Sequence, residues 1–526
     1  MKKWMMLYTI LIFTCLLFGN VQAYEIMSGP TQLIQYNASK AYEGYTLFSV
    51  GSKTYMIDMF GYIVHEWDHG DKPVGKHVVL LEDGHLFGNY GGGGGAPPGG
   101  GAGGAAGAGA RGGTVPGGAG GAGGRGGAGG QGGMPGGGGG AGGAGGRGGA
   151  APGGAVGAGG QGGIPGGAGG ARGAGAPGGA GGEGGTGGKM SFGGGVKGLI
   201  ELDWDGNVVW EWEPGEEHGS IHHDFEKLPN GNVLVNVWEA VPYEEVIAAG
   251  RKVDKLTQRG LAPDAVYEID PDGNVVWTWS VWDHRGSNSK FNFDVNYFVG
   301  SDPDWTHYNA VDYDPDTDSI LLCSRHFHEI YIIDHKTGDL LYRWGNPSTY
   351  GAGKGPTIST PGDQLLFGPH DAQYINEGFP GAGNILIFNN GWYRTPTSYS
   401  SVVEMDPETD EIVWEYSRGF AAGHISGCER LPNGNTLVCS GEDGHLFEVT
   451  SEGEVVWEYV IGTSNWSASG NLFRAHRYGP DYPGLAGKDL KPQRQLIEDV
   501  KGAWEPRVDL TGATQPGAKL WKKLWK

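Results

Sequence analysis

The sequence predicts an all-β fold, a six-bladed β-propeller with a long disordered glycine-rich insertion. The first observation is a pattern that recurs six times: an apolar strand, a polar and mostly acidic turn, and a strand that ends in Trp or Tyr. Polar turns between β-branched strands are typical of hairpins. The second observation is that five of the six hairpins are followed by a further hairpin. Two hairpins supply the four strands of a blade, so the repeat predicts a ring of six blades.

The repeated hairpins can be placed along the chain from their turns. The six recurring hairpins are 55–67, 199–212, 266–279, 330–344, 402–416 and 446–459. The five hairpins that follow are 76–89, 224–237, 309–324, 371–389 and 427–440. The sixth recurring hairpin has no such follower, so residues 471–478, residues 44–50 or both are expected to complete its blade. The tryptophans at the strand ends are predicted to pack between blades.

Glycine accounts for 106 of the 526 residues, and most of these glycines lie between residues 91 and 195. This tract is almost only Gly, Ala and Pro, and GGQGGMPGG returns in it as GGQGGIPGG. It carries too little apolar side chain to offset the entropy of ordering, which predicts disorder. With the tract set aside, the propeller is predicted to comprise residues 24–90 and 196–510.

The N-terminal segment, residues 1–23, is typical of a secretory signal peptide. Lys2 and Lys3 precede an apolar run over residues 5–18, and small residues end the segment at Ala23. The apolar run is short for a membrane span. The sequence therefore predicts export, to the periplasm or beyond it.

Export implies an oxidising compartment, which makes the cysteines informative. Cys428 and Cys439 flank one hairpin, so a disulfide between them is one expectation, and a slipped strand register would exclude it. Cys323 is then left over and is predicted to be a small buried hydrophobe.

The charge balance limits the partners. A net charge of −22 argues against nucleic acid. Residues 511–526 form a basic tail ending in KLWKKLWK, with Leu and Trp on one helical face and Lys on the other. Two interpretations stay open for this tail: weak contact with an anionic membrane surface, or a plain solvated tail. The oligomeric state is also left open.

Histidines stand at the start of three successive second hairpins. His222 and His223 open the first of them, His307 the next and His370 the third. We expect these to be equivalent strand starts, so that three blades aim an imidazole at one end of the axial channel. Alignment of the turns favours His223 over His222 as the residue equivalent to His370.

The residues expected beside these histidines indicate an anion site. Arg325 ends the strand that returns from His307, and Asn390 follows the strand that returns from His370. A guanidinium next to the imidazoles disfavours a cation, whereas its planar fork matches the oxygens of sulfate or phosphate. The set therefore predicts no metal and no dissociable cofactor. A histidine in it can attack the central atom or move protons.

With these motifs in place, the sequence resembles the bacterial PAPS-independent aryl-sulfate sulfotransferases, the arylsulfotransferase family. The stretches that carry the resemblance are HHDFEKLPNGNVLV, WTHYNAVDYDPDTDSILLCSRH, YRWGNP, GPHDAQ, ILIFNNG and RAHRYGPDYPGL. The resemblance implies a periplasmic six-bladed propeller that transfers a sulfuryl group from an aryl sulfate to a phenol. It also implies ping-pong kinetics through a sulfohistidine.

Site residues follow from the resemblance by motif. His370 matches the nucleophile of the family, and His307, Asn309 and Arg325 match its sulfate and phenol contacts. The remaining family histidine falls on His222 or His223. One departure is Pro369, which stands where the family commonly has glutamine.

Two alternatives accompany this interpretation. The repeated Trp-ended hairpins also resemble those of quinoprotein and scaffold propellers, which would make the protein a non-catalytic, envelope-binding propeller. Trp392, Tyr393 and Tyr399 either form an aromatic wall for a substrate ring or, as the favoured alternative, pack in the core.

Overall fold

A computed structural model describes residues 32–91, 189–256, 259–286, 289–297, 303–461 and 472–496. All of these residues belong to one compact unit. The predicted signal peptide, the glycine-rich tract from residue 92 to residue 188 and the basic tail lie outside the described residues.

The described residues are mostly strands. In chain order these are β1 Gln32–Tyr36, β2 Tyr45–Val50, β3 Lys53–Ile57, β4 Tyr62–Asp68, β5 Val74–Leu80, β6 Leu86–Tyr90, β7 Gly198–Leu202, β8 Val208–Trp212, β9 Ser220–Lys227, β10 Val233–Trp238, β11 Asp264–Ile269, β12 Val275–Ser280, β13 Tyr308–Asp314, β14 Ser319–Ser324, β15 Glu329–Asp334, β16 Leu340–Trp344, β17 His370–Tyr374, β18 Ile385–Asn389, β19 Ser401–Asp406, β20 Glu411–Tyr416, β21 Gly427–Arg430, β22 Thr436–Ser440, β23 His445–Val449, β24 Val455–Val460, β25 Ala475–Tyr478 and β26 Arg494–Gln495. The helices are α1 Tyr243–Ala248 and the short 3₁₀ turns Val253–Lys255, Val281–His284, Pro347–Tyr350 and Pro483–Leu485.

The strands form six antiparallel sheets, which confirms the six-bladed propeller. From the inside outward the blades are blade 1 (β25-β2-β3-β4-β26), blade 2 (β5 to β8), blade 3 (β9 to β12), blade 4 (β13 to β16), blade 5 (β17 to β20) and blade 6 (β21-β22-β23-β24-β1). The first strands of neighbouring blades contact one another around the axis. The residues that they turn toward one another therefore line the central channel.

The expected grouping of hairpins into blades is wrong by one step. Each second hairpin joins the recurring hairpin that comes after it in the chain, so β21-β22 precedes β23-β24 in blade 6. The blade that needs completion is therefore the first, not the sixth. Both expected segments complete it, because β2 and β25 pair there. The N-terminal β1 in turn pairs with β24 at the outer edge of blade 6.

A ring of tryptophans joins each blade to the next, as expected from the strand ends. One indole N–H per blade donates to a carbonyl in the outer turn of the following blade, and the last blade donates back to the first. The pairs are Trp67 to Asp203 (3.2 Å), Trp212 to Gly273 (3.0 Å), Trp279 to Gly338 (3.0 Å), Trp344 to Asp410 (3.2 Å), Trp414 to Ser451 (2.8 Å) and Trp457 to Met59 (2.9 Å). This ring explains why every recurring hairpin has a tryptophan at its end or two residues before it.

The cysteines do not form the expected disulfide. Strand β21 pairs Cys428 with Val438 and Gly427 with Cys439, so the two cysteines are one residue out of register. Residues adjacent along a strand point to opposite faces, which separates the two sulfurs. Cys323, Cys428 and Cys439 are all free and buried. Among the described residues, we find no helix with the length and hydropathy of a membrane span.

Candidate active site

Bulges in the innermost strands shape one end of the channel. The pairing register shifts between Val235 and Val237 opposite β9, near Tyr308 in β13, and between His370 and Gln373 in β17. Extra residues of this kind re-aim side chains and are frequent next to functional sites. His223, His307 and Asp371 lie at these irregularities with positive φ angles of 54°, 53° and 52°. Such backbone is strained for residues with a Cβ and persists only where neighbouring contacts hold it.

The expected equivalence of the three histidine positions holds for two of them. His223 lies four residues before Lys227 and His370 four residues before Tyr374, the residues that pair next to each turn. His307 is three residues further from its turn and precedes β13, so its predicted equivalence is wrong. The bulges nevertheless bring its ring to 4.7 Å from the ring of His223.

The structure separates His222 from His223. His222 is fully buried, stacks on Trp238 at 3.9 Å and places Nε2 3.0 Å from a carboxylate oxygen of Asp264. His223 instead lies against His307, and its Nδ1 is 2.9 Å from Nδ1 of His222. Burial and the neighbouring imidazole of His307 hold the pKa of His223 well below its ordinary value. His222 therefore helps to hold His223 in position through the contact between their Nδ1 atoms.

His307 is paired with a carboxylate that the sequence analysis missed. Its Nδ1–H donates a short hydrogen bond to Asp304, three residues earlier, and both side chains are buried. This pairing leaves Nε2 as the nitrogen that a substrate can reach. Burial, then the charge of Arg325, keeps the pKa of His307 well below its ordinary value. The D-x-x-H spacing in DWTH was the only sequence signal for this pair.

His370 is oriented by Asn390. The amide group of Asn390 donates to the carbonyls of Ala422 and Ile425, both at 2.9 Å, so its Oδ1 faces Nδ1 of His370 at 2.7 Å. Nδ1 must therefore carry the proton, which leaves the lone pair on Nε2. That lone pair accepts a hydrogen bond from the backbone N–H of Ile425 at 3.2 Å, which a substrate must displace. Burial, then Arg325, holds the pKa of His370 well below its ordinary value, which favours the neutral ring.

Arg325 places a positive charge in the site that the described residues do not neutralise. Within the described part of the chain, its guanidinium has no carboxylate or carbonyl hydrogen-bond partner, although its backbone N–H donates to His307. Burial lowers the pKa of Arg325, and the cost of a half-buried cation favours an anionic guest. Next to it, His328 accepts a hydrogen bond from the backbone N–H of Gly368 at 2.8 Å, and burial lowers the pKa of His328 to about 4.

Asn309 contacts the residue that precedes His370. Asn309 is fully buried and donates from Nδ2 to the carbonyl of Pro369 at 2.8 Å. This hydrogen bond holds the backbone of the residue before His370, and it does not depend on the side chain at position 369. These contacts indicate that Asn309 and Asn390 position His370, whereas the sequence analysis assigned both to the substrate.

A buried arginine that was not predicted lies below the histidines on the channel axis. Arg474 forms ion pairs with both oxygens of Asp224 at 2.9 Å and with one oxygen of Asp371 at 2.7 Å. Burial opposes the charge of Arg474, but Asp224 and Asp371 together raise its pKa. Asp371 also accepts the backbone N–H of Cys428 at 2.8 Å. These contacts give Asp371 a structural role.

Comparison with known proteins agrees with the resemblance seen in the sequence. The family model described as arylsulfotransferase (ASST) matches residues 186–477, more than half of the chain. This chain belongs to the arylsulfotransferase family.

Individual relatives are distant. The arylsulfate sulfotransferase AssT of Escherichia coli O6:H1 (strain CFT073) is 24% identical over 310 residues, which is 47% of this chain and 50% of that protein. The chain thus matches about half the length of this curated relative. A protein of unknown function from Bacteroides caccae shares 12% identity at a TM-score of 0.41, covering 83% of this chain and 98% of that one. Virginiamycin B lyase from Staphylococcus aureus shares 11% at a TM-score of 0.24, covering 44% and 53%.

The end of the glycine-rich tract contacts the candidate site. The carbonyl of Gly194 accepts the backbone N–H of His223 at 2.9 Å, and Phe192 packs on Trp238 with ring centroids 5.0 Å apart. Gly194 has a φ of 106°, and a Cβ there would lie 2.0 Å from the ring of His223. Only glycine fits, because any side chain meets both the strained backbone and the imidazole.

Gly194→Ala is therefore expected to displace His223 and to lower activity at least about tenfold, with a loss of roughly 1–3 kcal/mol in the free energy of unfolding. Steady-state kinetics and chemical denaturation measure both effects. Gly193→Ala is the matched control, because its Cβ would meet nothing within 4 Å. Equal behaviour of the two variants would contradict the close approach.

Aromatic residues border the site on the side of blade 5. Trp392, Tyr393 and Tyr399 are 48%, 71% and 40% exposed, so the expectation that they pack in the core is wrong. Arg394 stacks over the Tyr399 ring at 4.0 Å. These rings form an exposed aromatic border.

One group of side chains in the site has the spacing of metal ligands. Asp304, His307 and His326 each place one ligand atom within 4.8 Å of the others. Nδ1 of His307 is already bonded to Asp304, and the Arg325 guanidinium adds positive charge beside the ring. This arrangement favours an acid–base pair over a cation site.

Proposed function

We propose that this protein is an aryl-sulfate sulfotransferase that moves a sulfuryl group from a phenolic sulfate ester to a phenolic acceptor through a sulfohistidine at His370. The observation that carries the proposal is the geometry around His370. Asn390 fixes the proton on Nδ1, so the lone pair of Nε2 lies in a site with the otherwise unpaired guanidinium of Arg325. A neutral nucleophile beside a cation is what attack on an anionic sulfate ester requires.

In the donor half-reaction, Nε2 of His370 attacks sulfur and the bond from sulfur to the aryl oxygen breaks. Arg325 stabilises the charge on the sulfuryl oxygens, as arginines do in phosphoryl transfer. The leaving phenolate takes its proton from Nε2 of His307, which has His223 beside it. Burial and Arg325 oppose the imidazolium form of His307, whereas the Asp304 carboxylate at Nδ1 stabilises it and the anionic donor offsets the charge of Arg325. In the acceptor half-reaction a phenol takes the sulfuryl group and His370 is regenerated.

The proposal includes export to the periplasm, as residues 1–23 predict, with small aryl sulfates and phenols as partners. It needs no metal or dissociable cofactor. A direct test mixes the purified protein with p-nitrophenyl sulfate without acceptor and measures its intact mass after an alkaline quench. We expect one sulfuryl group per chain, labile to acid. A protein that stays unmodified and releases no p-nitrophenolate would instead favour a non-catalytic scaffold.

Asp304→Asn tests the His307 pair. The amide keeps the shape but loses the charge that stabilises the imidazolium, so we expect the donor half-reaction to slow about 100-fold or more. The loss should be larger for phenyl sulfate than for p-nitrophenyl sulfate, because only the poorer leaving group needs the proton. Rapid-mixing kinetics with both donors measure this difference. Equal losses for both donors would point to a structural role. Asp83→Asn, at a remote and exposed Asp–His pair, is the control.

A further inference from the structure

A short backbone segment, residues 422–426, lies directly over His370. Asn390 bonds the carbonyls of Ala422 and Ile425, and the N–H of Ile425 lies 3.2 Å from Nε2 of His370. Ile425 and Ser426 have φ angles of 48° and 82°. Positive φ is rare for a β-branched residue, so this segment is held in place by its contacts with the site.

The segment carries a second pair of a histidine and a carboxylate. Nδ1–H of His424 donates a short hydrogen bond to one oxygen of Glu442, whose other oxygen accepts the N–H of Gly423 at 2.7 Å. The carboxylate is thus fixed from two sides. Nε2 of His424 is left without a described partner, on a side chain that is 45% exposed. His424 lies in the chain between Gly423, whose N–H donates to Glu442, and Ile425, whose N–H donates to Nε2 of His370 at 3.2 Å, which places the pair next to His370.

An exposed aromatic ring adjoins the pair. A Cβ on Gly423 would lie 2.6 Å from the indole ring of Trp392, and one on Gly368 would lie 3.7 Å from Cβ of Trp392 and 3.9 Å from Cγ of Arg325. Trp392 therefore lies between the segment and Arg325. An indole surface next to a base is suited to a phenol, with the ring on Trp392 and the hydroxyl near the imidazole.

We propose that His424, positioned by Glu442, is the base that deprotonates the acceptor phenol. This rests on the proposed function and assigns separate histidines to its two half-reactions. The acceptor O–H bond breaks and its proton goes to Nε2 of His424, while the phenolic oxygen bonds to sulfur. The sulfur–nitrogen bond to His370 breaks, and its electron pair stays on Nε2. The exposed imidazolium of His424 then returns the proton to water, and His307 regains from water the proton that it gave to the leaving phenolate.

The two half-reactions can be measured separately in rapid mixing. p-Nitrophenyl sulfate alone gives the burst of the donor step, and added phenols give the acceptor step. For His424→Gln we expect a burst rate within about twofold of wild type and an acceptor step about 100-fold slower. The loss should shrink with acidic phenols such as 4-cyanophenol, which need less help from a base. Glu442→Gln should show the same pattern, less strongly. His85→Gln, at a remote His–Glu pair of 2.8 Å, should alter neither step.

The outcomes are distinguishable. A normal burst with an unchanged acceptor step in His424→Gln overturns the assignment of His424 alone. Equal slowing of both steps overturns it too, because that shows damage to the whole site. A wild-type protein without a burst overturns the proposed function, and this assignment with it. The burst also reports folding, so a misfolded variant cannot imitate the expected result.

Discussion

His370→Asn is expected to abolish sulfuryl transfer, with a fall in rate of at least about 10⁴-fold. Asparagine has no lone pair on a ring nitrogen, so no covalent intermediate can form. It can still bond to Asn390, which keeps the backbone of the site in place. Release of p-nitrophenolate and the intact mass after exposure to the donor measure the loss.

His370→Asn should lose sulfuryl transfer but keep its affinity for the donor. Arg325 is untouched in the variant, so p-nitrophenyl sulfate should still bind, which isothermal titration calorimetry can measure. His85→Gln is the control for a histidine that pairs with a carboxylate far from the channel. Retained transfer to phenol in His370→Asn would remove this residue from the mechanism.

Arg474→Met is expected to cost the most stability, about 3–5 kcal/mol in the free energy of unfolding. The guanidinium is the cation between Asp224 and Asp371, which are both buried. Methionine fills much of the volume but leaves Asp371 without a counter-charge and Asp224 with only the imidazole of His77 at 2.7 Å. Urea denaturation of both proteins measures the difference. Lys40→Met removes one partner of an exposed ion pair with Glu454 and should change stability little.

The loss of stability in Arg474→Met should depend on pH in one definite direction. Burial already raises the pKa of Asp371 above its ordinary value, and loss of Arg474 raises it further. A carboxyl whose pKa is higher in the folded state destabilises the fold when ionised, and this penalty is lost as the pH falls through that pKa. The difference in the free energy of unfolding between Arg474→Met and wild type should therefore become smaller as the pH falls. The double variant Arg474→Met with Asp371→Asn should lose less stability at neutral pH than Arg474→Met alone. A gap that is the same at all pH values would exclude the electrostatic explanation.

Local patterns in the sequence were sufficient for the hairpins, because strand alternation and turn chemistry lie within one short window. The grouping into blades failed, since both kinds of hairpin have similar turns and blade membership depends on pairing between distant strands. The misplacement of His307 has a related cause. A bulge near Tyr308 changes the count of residues along β13 without any special residue type.

The supporting residues of the site were harder to predict than the histidines. Asp304 stands near His307 in the chain, but its pairing depends on an irregular backbone. Glu442 and Arg474 lie on other segments and reach the site only through the closed ring. Burial of the Asp224 and Asp371 carboxylates costs free energy unless a cation is near, so a cation in the channel could have been predicted. The sequence does not indicate which arginine supplies that cation.

The closure of the ring by strands from both sides of the chain has a consequence for synthesis. Strand β25, which follows all the complete blades in the chain, supplies the innermost position of blade 1, and Arg474 directly precedes it. A nascent chain released before that point has an open strand edge in blade 1 and two uncompensated acids on its axis. Open edges are templates for pairing between molecules. Premature termination should thus yield aggregates in place of partly active fragments, and catalytic competence should arise in one late event.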